Sequence, residues 1–156
     1  MMNRLAILIF FCYICITNHY VMAQTHIYKG RYKNTSDILY TWDGKHLYRG
    51  RFTNTNDILY TFDGKYLYRG RFTNTNDVLY SVYGNNVYRG RYNDLSCLVI
   101  NFDRNNIYEG RYNNLSDIKL TQKNNYIYPN RYNNLSEIMY NTDGNVPLFF
   151  FGTIIK

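Results

Sequence analysis

The chain has 156 residues, 18 Lys and Arg against 11 Asp and Glu, and a formal net charge of +7. That length allows one ordinary domain. With 3 cysteines and 3 histidines in the whole chain, no metal-ligand spacing can be drawn.

The first segment reads as a leader. MMNR carries one positive charge, LAILIFFCYICI is an apolar run, and TNHYVMA ends with Val21 and Ala23. The small-residue rule places cleavage between Ala23 and Gln24, so 1–23 is expected to be a signal peptide. The apolar run is shorter than the roughly 20 residues that a spanning helix needs. Cys12 and Cys15 leave with the leader, so the remaining Cys97 can form no internal disulfide, and the net charge falls to +6 with the loss of Arg4. An exported protein follows as the expectation, in the periplasm, on the cell surface or secreted.

Residues 24–145 repeat with a period of twenty. Six units start at His26, His46, Tyr66, Asn86, Asn106 and Tyr126. Their third position is Tyr28, Tyr48, Tyr68, Tyr88, Tyr108 and Tyr128. Their sixth is Arg31, Arg51, Arg71, Arg91, Arg111 and Arg131. Each unit offers two strand-like segments, HLYRGRF and DILYTF in the second. TNTN lies between them, and a turn such as WDGK, FDGK or TDGN follows. Gly44, Gly64, Gly84 and Gly144 suit a left-handed turn position there, which Asn124 also tolerates and Arg104 does not.

With TNT and WDG as three-residue loops, side-chain alternation puts Tyr28, Gly30, Tyr32, Ile38, Tyr40 and Trp42 on one face. Lys29, Arg31, Asp37, Leu39 and Thr41 take the other. The six tyrosines are then core, each arginine pairs with the facing acid, and Gly30 leaves room for a neighbouring ring.

A lone unit buries too little apolar surface to offset the entropy of ordering its backbone, so the copies must pack together. The expected fold is all-β, six tandem 20-residue β-hairpins forming a curled antiparallel array. A β-solenoid is the alternative, disfavoured because it stacks six like charges one strand apart. Pro129, which lacks a donor, hints at an open end. Residues 146–156, NVPLFFFGTIIK with its preceding Asn145, then read as an apolar closing strand or as a docking tail for a partner or membrane. Thr35, Thr55 and Thr75 give way to Leu95, Leu115 and Leu135, dividing the array into unlike halves.

His26 and His46 form no arrangement with a nucleophile, so no catalytic, cofactor or metal residue is assigned and no enzyme is expected. Asp43, Asp63 and Asp143 beside turn glycines fit turn chemistry better than a calcium loop. Cys97, in an acid's slot, reads as a buried inert thiol. The recurring arginines are the candidate ligand contacts, suited to carboxylate or phosphate, and the aromatics suit sugar rings. A repeated surface can bind a repeating polymer through weak contacts that add. The expected partner is therefore an envelope or extracellular polysaccharide or polyanion, not a specific nucleic acid. Self-association through strand edges and the apolar tail is the alternative.

HLYRGRFTNTNDILYTFDGK and YLYRGRFTNTNDVLYSVYGN resemble short tandem repeats of exported bacterial proteins, built on a Tyr-x-Gly, Ser/Asn-Asp-Ile/Val and Asp-Gly frame. In period and aromatic content they are also similar to the cell-wall-binding repeats of Gram-positive bacteria. That second resemblance implies hairpin arrays that bind choline or glucans. Trp42 is the only tryptophan, and the Gly-Trp signature of those repeats is missing, so no choline-binding residue carries over.

Overall fold

The computed structural model describes residues 23–155. The leader expected over 1–23 lies outside them, Ala23 apart. Twelve strands follow in order: β1 (Thr25–Lys29), β2 (Ile38–Trp42), β3 (His46–Arg49), β4 (Ile58–Phe62), β5 (Tyr66–Arg69) and β6 (Val78–Tyr83). The second half has β7 (Asn86–Arg89), β8 (Leu98–Phe102), β9 (Asn106–Glu109), β10 (Ile118–Lys123), β11 (Tyr126–Pro129) and β12 (Tyr140–Thr142). A short helix, α1 (Phe149–Thr153), ends the described chain. Each long connection contains a three-residue 3-10 turn, Thr35–Asp37 in the first unit.

Every strand pairs antiparallel with its chain neighbours, and β1 pairs with β12, so the array closes into a barrel. The curled antiparallel hairpin array is what the repeat led one to expect, and its antiparallel pairing rules out the solenoid. The open end inferred from Pro129 is corrected. Pro129 pairs with Leu120 on one side, and the ladder to β12 stops at Ile127, so no donor is missed where the proline sits.

The face assignment is also corrected. Trp42 pairs with Leu47 and Thr41 with Tyr48, leaving four residues in the turn instead of three. On the other side Ile27 pairs with Tyr40 and Tyr28 with Ile38, so Leu39 is an extra residue at a bulge. An even turn reverses the alternation that an odd one gives. The lumen is lined by Ile27, Leu47, Leu67, Val87, Ile107 and Ile127, all fully buried, with Tyr40 and Trp42 beside them. Tyr28 and its five equivalents are 3–7 % exposed, but on the opposite side of the wall, outside the cluster that fills the lumen.

Twelve strands enclose a space wider than their own side chains can fill. Residues 146–155 fill it. Phe149, Phe150 and Phe151 are buried, and Phe150 meets Trp42 edge-on with centroids 5.0 Å apart. Phe62 packs on Phe149 at 5.2 Å and Tyr140 on Phe151 at 5.6 Å. The tail is thus a helical plug inside its own barrel, neither a closing strand nor a free docking segment. Closure and plug together remove the two devices, free strand edges and an exposed tail, on which the self-association reading rested.

Candidate functional site

The six arginines sit just after β1, β3, β5, β7, β9 and β11, five of which run into a Tyr-x-Gly and the last into Tyr128-Pro129-Asn130. Gly50 adopts φ +73°, and a Cβ built there would meet nothing within 4 Å. The glycine therefore serves the backbone turn and not the close approach of a ring, which corrects the reason given for Gly30 as well (φ +70°, equally open). From this turn the chain folds back along the outer wall. The buried Thr41 hydroxyl donates to the carbonyls of Gly50 (2.7 Å) and Arg51 (3.0 Å). Thr61 repeats this with Gly70 and Arg71, and Asn101 and Asn141 donate amide hydrogens to the carbonyls of Arg111 and Arg31. Wall side chains so fix the backbone that bears the arginines.

The expected arginine–acid pairs do not form. Among the described residues none of the six arginines makes a salt bridge. The acids bond locally instead: Asp37, Asp57, Asp77 and Asp117 accept from the side-chain amides of Asn34, Asn54, Asn74 and Asn114 at 2.8–3.1 Å, closing the 3-10 turns. Five of the six arginines turn to the aromatic next to them. Arg31 lies over Tyr32 at 5.8 Å, Arg51 over Phe52 and Arg71 over Phe72 at 5.6 Å, Arg111 over Tyr112 at 5.7 Å, and Arg131 over Tyr132 at 4.9 Å. Arg91 precedes Tyr92 in the sequence but does not lie over its ring, and acts instead on the Tyr66 phenol. These aromatics are 59–74 % exposed, so the pairs form a girdle in contact with water, joined by exposed Leu95, Leu115 and Leu135 in the second half.

A second basic group was not singled out from the sequence. Lys29, Arg49, Arg69 and Arg89 end successive upward strands, and Arg49, Arg69 and Arg89 pair across the ladder with Tyr40, Tyr60 and Tyr80. Pairing puts these tyrosines and arginines on the luminal face at one barrel mouth. The signal was present, since the fourth position of the unit is basic four times, but the odd-turn alternation separated Lys29 from Tyr40. In the last two units that position holds Glu109, bridged to Lys119 at 3.2 Å, and Pro129. The long connections and the strand ends beside them carry twelve cations against seven acids, whereas the short turns and their flanks carry four of each.

The short turns are structural. Asp43 Oδ1 accepts from the backbone N–H groups of Lys45 (2.8 Å) and His46 (2.6 Å), and its Oδ2 from the Tyr48 phenol at 2.7 Å. Burial and then this carboxylate push the Tyr48 phenol up to about 12. Gly44, Gly64, Gly84 and Asn124 take left-handed conformations as expected. Gly144 does not; a Cβ there would run into the Thr25 side chain. Cys97 is half-exposed in the fourth 3-10 turn, not buried. Among the described residues no group of three or more His, Cys, Asp or Glu is placed to hold a metal, and no helix is long and apolar enough to cross a membrane.

No curated protein and no solved structure matches the chain. A family model does, over residues 27–151, which takes in all six hairpins and most of the plug. By that match and by its closed ring of six repeated hairpins, the chain belongs to the 6-fold beta flower protein family.

Proposed function

We propose that this is an exported, non-enzymatic binding protein that holds an acidic polymer of the cell envelope or its surroundings, a glycan or other polyanion. The observation that carries this reading is the girdle: arginines without acid partners, stacked on aromatics that are more than half exposed, repeated around a closed ring. A free guanidinium fork suits carboxylate and sulfate oxygens, and an exposed ring beside it suits the apolar face of a sugar. Equivalent sites at a fixed angular interval let weak contacts add along a repeating ligand.

The test is retention of the full chain on immobilised polygalacturonate and dextran sulfate, with neutral dextran as the comparison. Retention at low salt that fades as salt screens the charges supports the reading. Joint replacement Arg51→Gln and Arg71→Gln is expected to weaken it. Passage of the wild-type chain through both acidic columns at low salt rejects it.

A further inference from the structure

The plug does not sit centrally. A Cβ on Gly152 would lie 2.9 Å from Ile100 Cδ1 and 3.1 Å from two carbons of Ile107, so α1 presses its backbone against β8 and β9. At the position where the first three units carry Tyr40, Tyr60 and Tyr80, the next two carry Ile100 and Leu120, which make the apolar wall that receives the helix. Beside that wall, over β4 to β7, a cleft of about 430 Å³ remains, bounded by Tyr60, Arg69, Leu79, Tyr80 and Arg89 on the barrel and by Thr153 and Ile154 on the plug. The volume lies within the range of about 300–1,000 Å³ usual for ligand clefts.

Arg69 and Arg89 are exposed, and neither forms a salt bridge among the described residues. Asp77 lines an adjoining hollow beside Arg69, where its carboxylate accepts from Asn74 at 3.1 Å and makes no salt bridge to the arginine. The two arginines lie two strands apart, about 9–10 Å along the sheet. Long side chains from both can therefore converge on one anionic group, while Tyr60 and Tyr80 offer ring faces and hydroxyls to what carries it.

We infer that this cleft is a subsite for an acidic pyranose, a sugar bearing a carboxylate or sulfate, at the end of or within a polysaccharide chain. The inference rests on the polyanion reading but uses residues distinct from the girdle. Arg69 and Arg89 take the anionic group in charge-assisted pairs, and the tyrosines flank the sugar ring. The side occupied by Ile100 and Leu120 has no such site, so the ring binds asymmetrically despite its sixfold repeat.

Calorimetric titration of the full chain with trigalacturonic acid, a sulfated trisaccharide, neutral galactotriose, inorganic phosphate and a single-stranded hexanucleotide tests this. Binding of at least one acidic saccharide and none of galactotriose is expected. The pair Arg69→Gln and Arg89→Gln should weaken that binding about tenfold or more, as loss of a charge-assisted pair implies. Charge-matched Lys45→Gln and Lys65→Gln on the short turns should leave it within about twofold. The two acidic arms distinguish carboxylate from sulfate. No binding of either acidic saccharide, or equal loss in both variants, overturns the subsite without touching the column test of the girdle. Equal affinity for phosphate or the oligonucleotide overturns the sugar assignment. Loss of column retention in the girdle variant, with saccharide titration unchanged, would show the two sites to be separate. Unaltered circular dichroism confirms that the variants are folded.

Discussion

The Tyr28 phenol donates to Asp143 Oδ2 at 2.9 Å across 115 positions of the chain. It is the same contact that Tyr48 makes to Asp43, Tyr68 to Asp63 and Tyr108 to Asp103 only five positions away. Asp143 Oδ1 also accepts from the His26 backbone at 2.6 Å, and its Oδ2 lies 2.9 Å from His26 Nδ1. The last unit thus borrows the first strand of the chain to complete its turn, and the ring shuts with a local motif used non-locally.

This clasp predicts that Asp143→Ala destabilises the protein by about 1.5–3 kcal/mol, because it strips a charged acceptor from several donors at once. Tyr28→Phe, which removes one donor, should cost about 1 kcal/mol. Urea unfolding of both variants measures this. Equal stability of Asp143→Ala and wild type would show that the clasp is ornamental.

The same contacts set a pH dependence. Burial alone would raise Asp43, Asp63, Asp103 and Asp143, but hydrogen bonds from backbone N–H groups and phenols, and at Asp143 first of all from the His26 ring, outweigh it and hold all four below the usual carboxylate value. Their contribution is present above about pH 4 and is lost as pH falls through the lowered folded values. Burial, then the bond to an aspartate, lifts Tyr48 and Tyr68 to about 12. That part is present below pH 10 and lost as pH rises from 10 through 12. A plot of Tm against pH should fall at both ends, and absorbance near 295 nm should show some phenols resisting ionisation beyond pH 11.

Gly152→Ala should cost about 1–3 kcal/mol by overpacking against Ile100 and Ile107. The crowding atoms are the methyl groups of flexible side chains, so adding Ile100→Val should recover part of the loss. Thermal unfolding of the single and double variants checks it. Phe150→Ala, at a fully buried ring, should cost more, about 3–5 kcal/mol.

Phe52→Ala and Phe72→Ala should change stability by no more than about 0.5 kcal/mol each, since both rings are about two-thirds exposed. Their joint effect belongs to binding: less retention on the acidic columns at a given salt concentration. Stability loss without retention loss would place these rings in the fold and not in the site.

Gly50→Ala should cost about 1–2 kcal/mol, because φ +73° disfavours a Cβ even in open space. Asn130 fills the same slot at φ 52°, so Asn130→Gly should be neutral or slightly stabilising. Paired urea curves distinguish the two.

Much of the architecture was legible in the chain. An exact period of twenty, strand-forming residues bounded by Gly and Asn, and no cysteine pair lead to an antiparallel hairpin array, because local chemistry and repetition carry that information. The girdle arginines were legible as positions, but not their partners. Asp37 and its equivalents are satisfied within three residues by Asn34 and its equivalents, a local competition that alternation along strands does not reveal. Which way each residue faces depended on one residue more or less in each turn and on the bulge at Leu39, and parity magnifies that single residue into an exchange of sides.

Repetition and local chemistry specify the hairpin unit and its pairing with its neighbours, whereas closure, the plug and the off-centre cleft arise only once the whole ring has folded. Closure depends on whether the curvature summed over twelve strands brings β1 to β12, a property of the ring and of no single unit. The plug follows from closure, since only a closed wall encloses a volume that Phe149, Phe150 and Phe151 can fill.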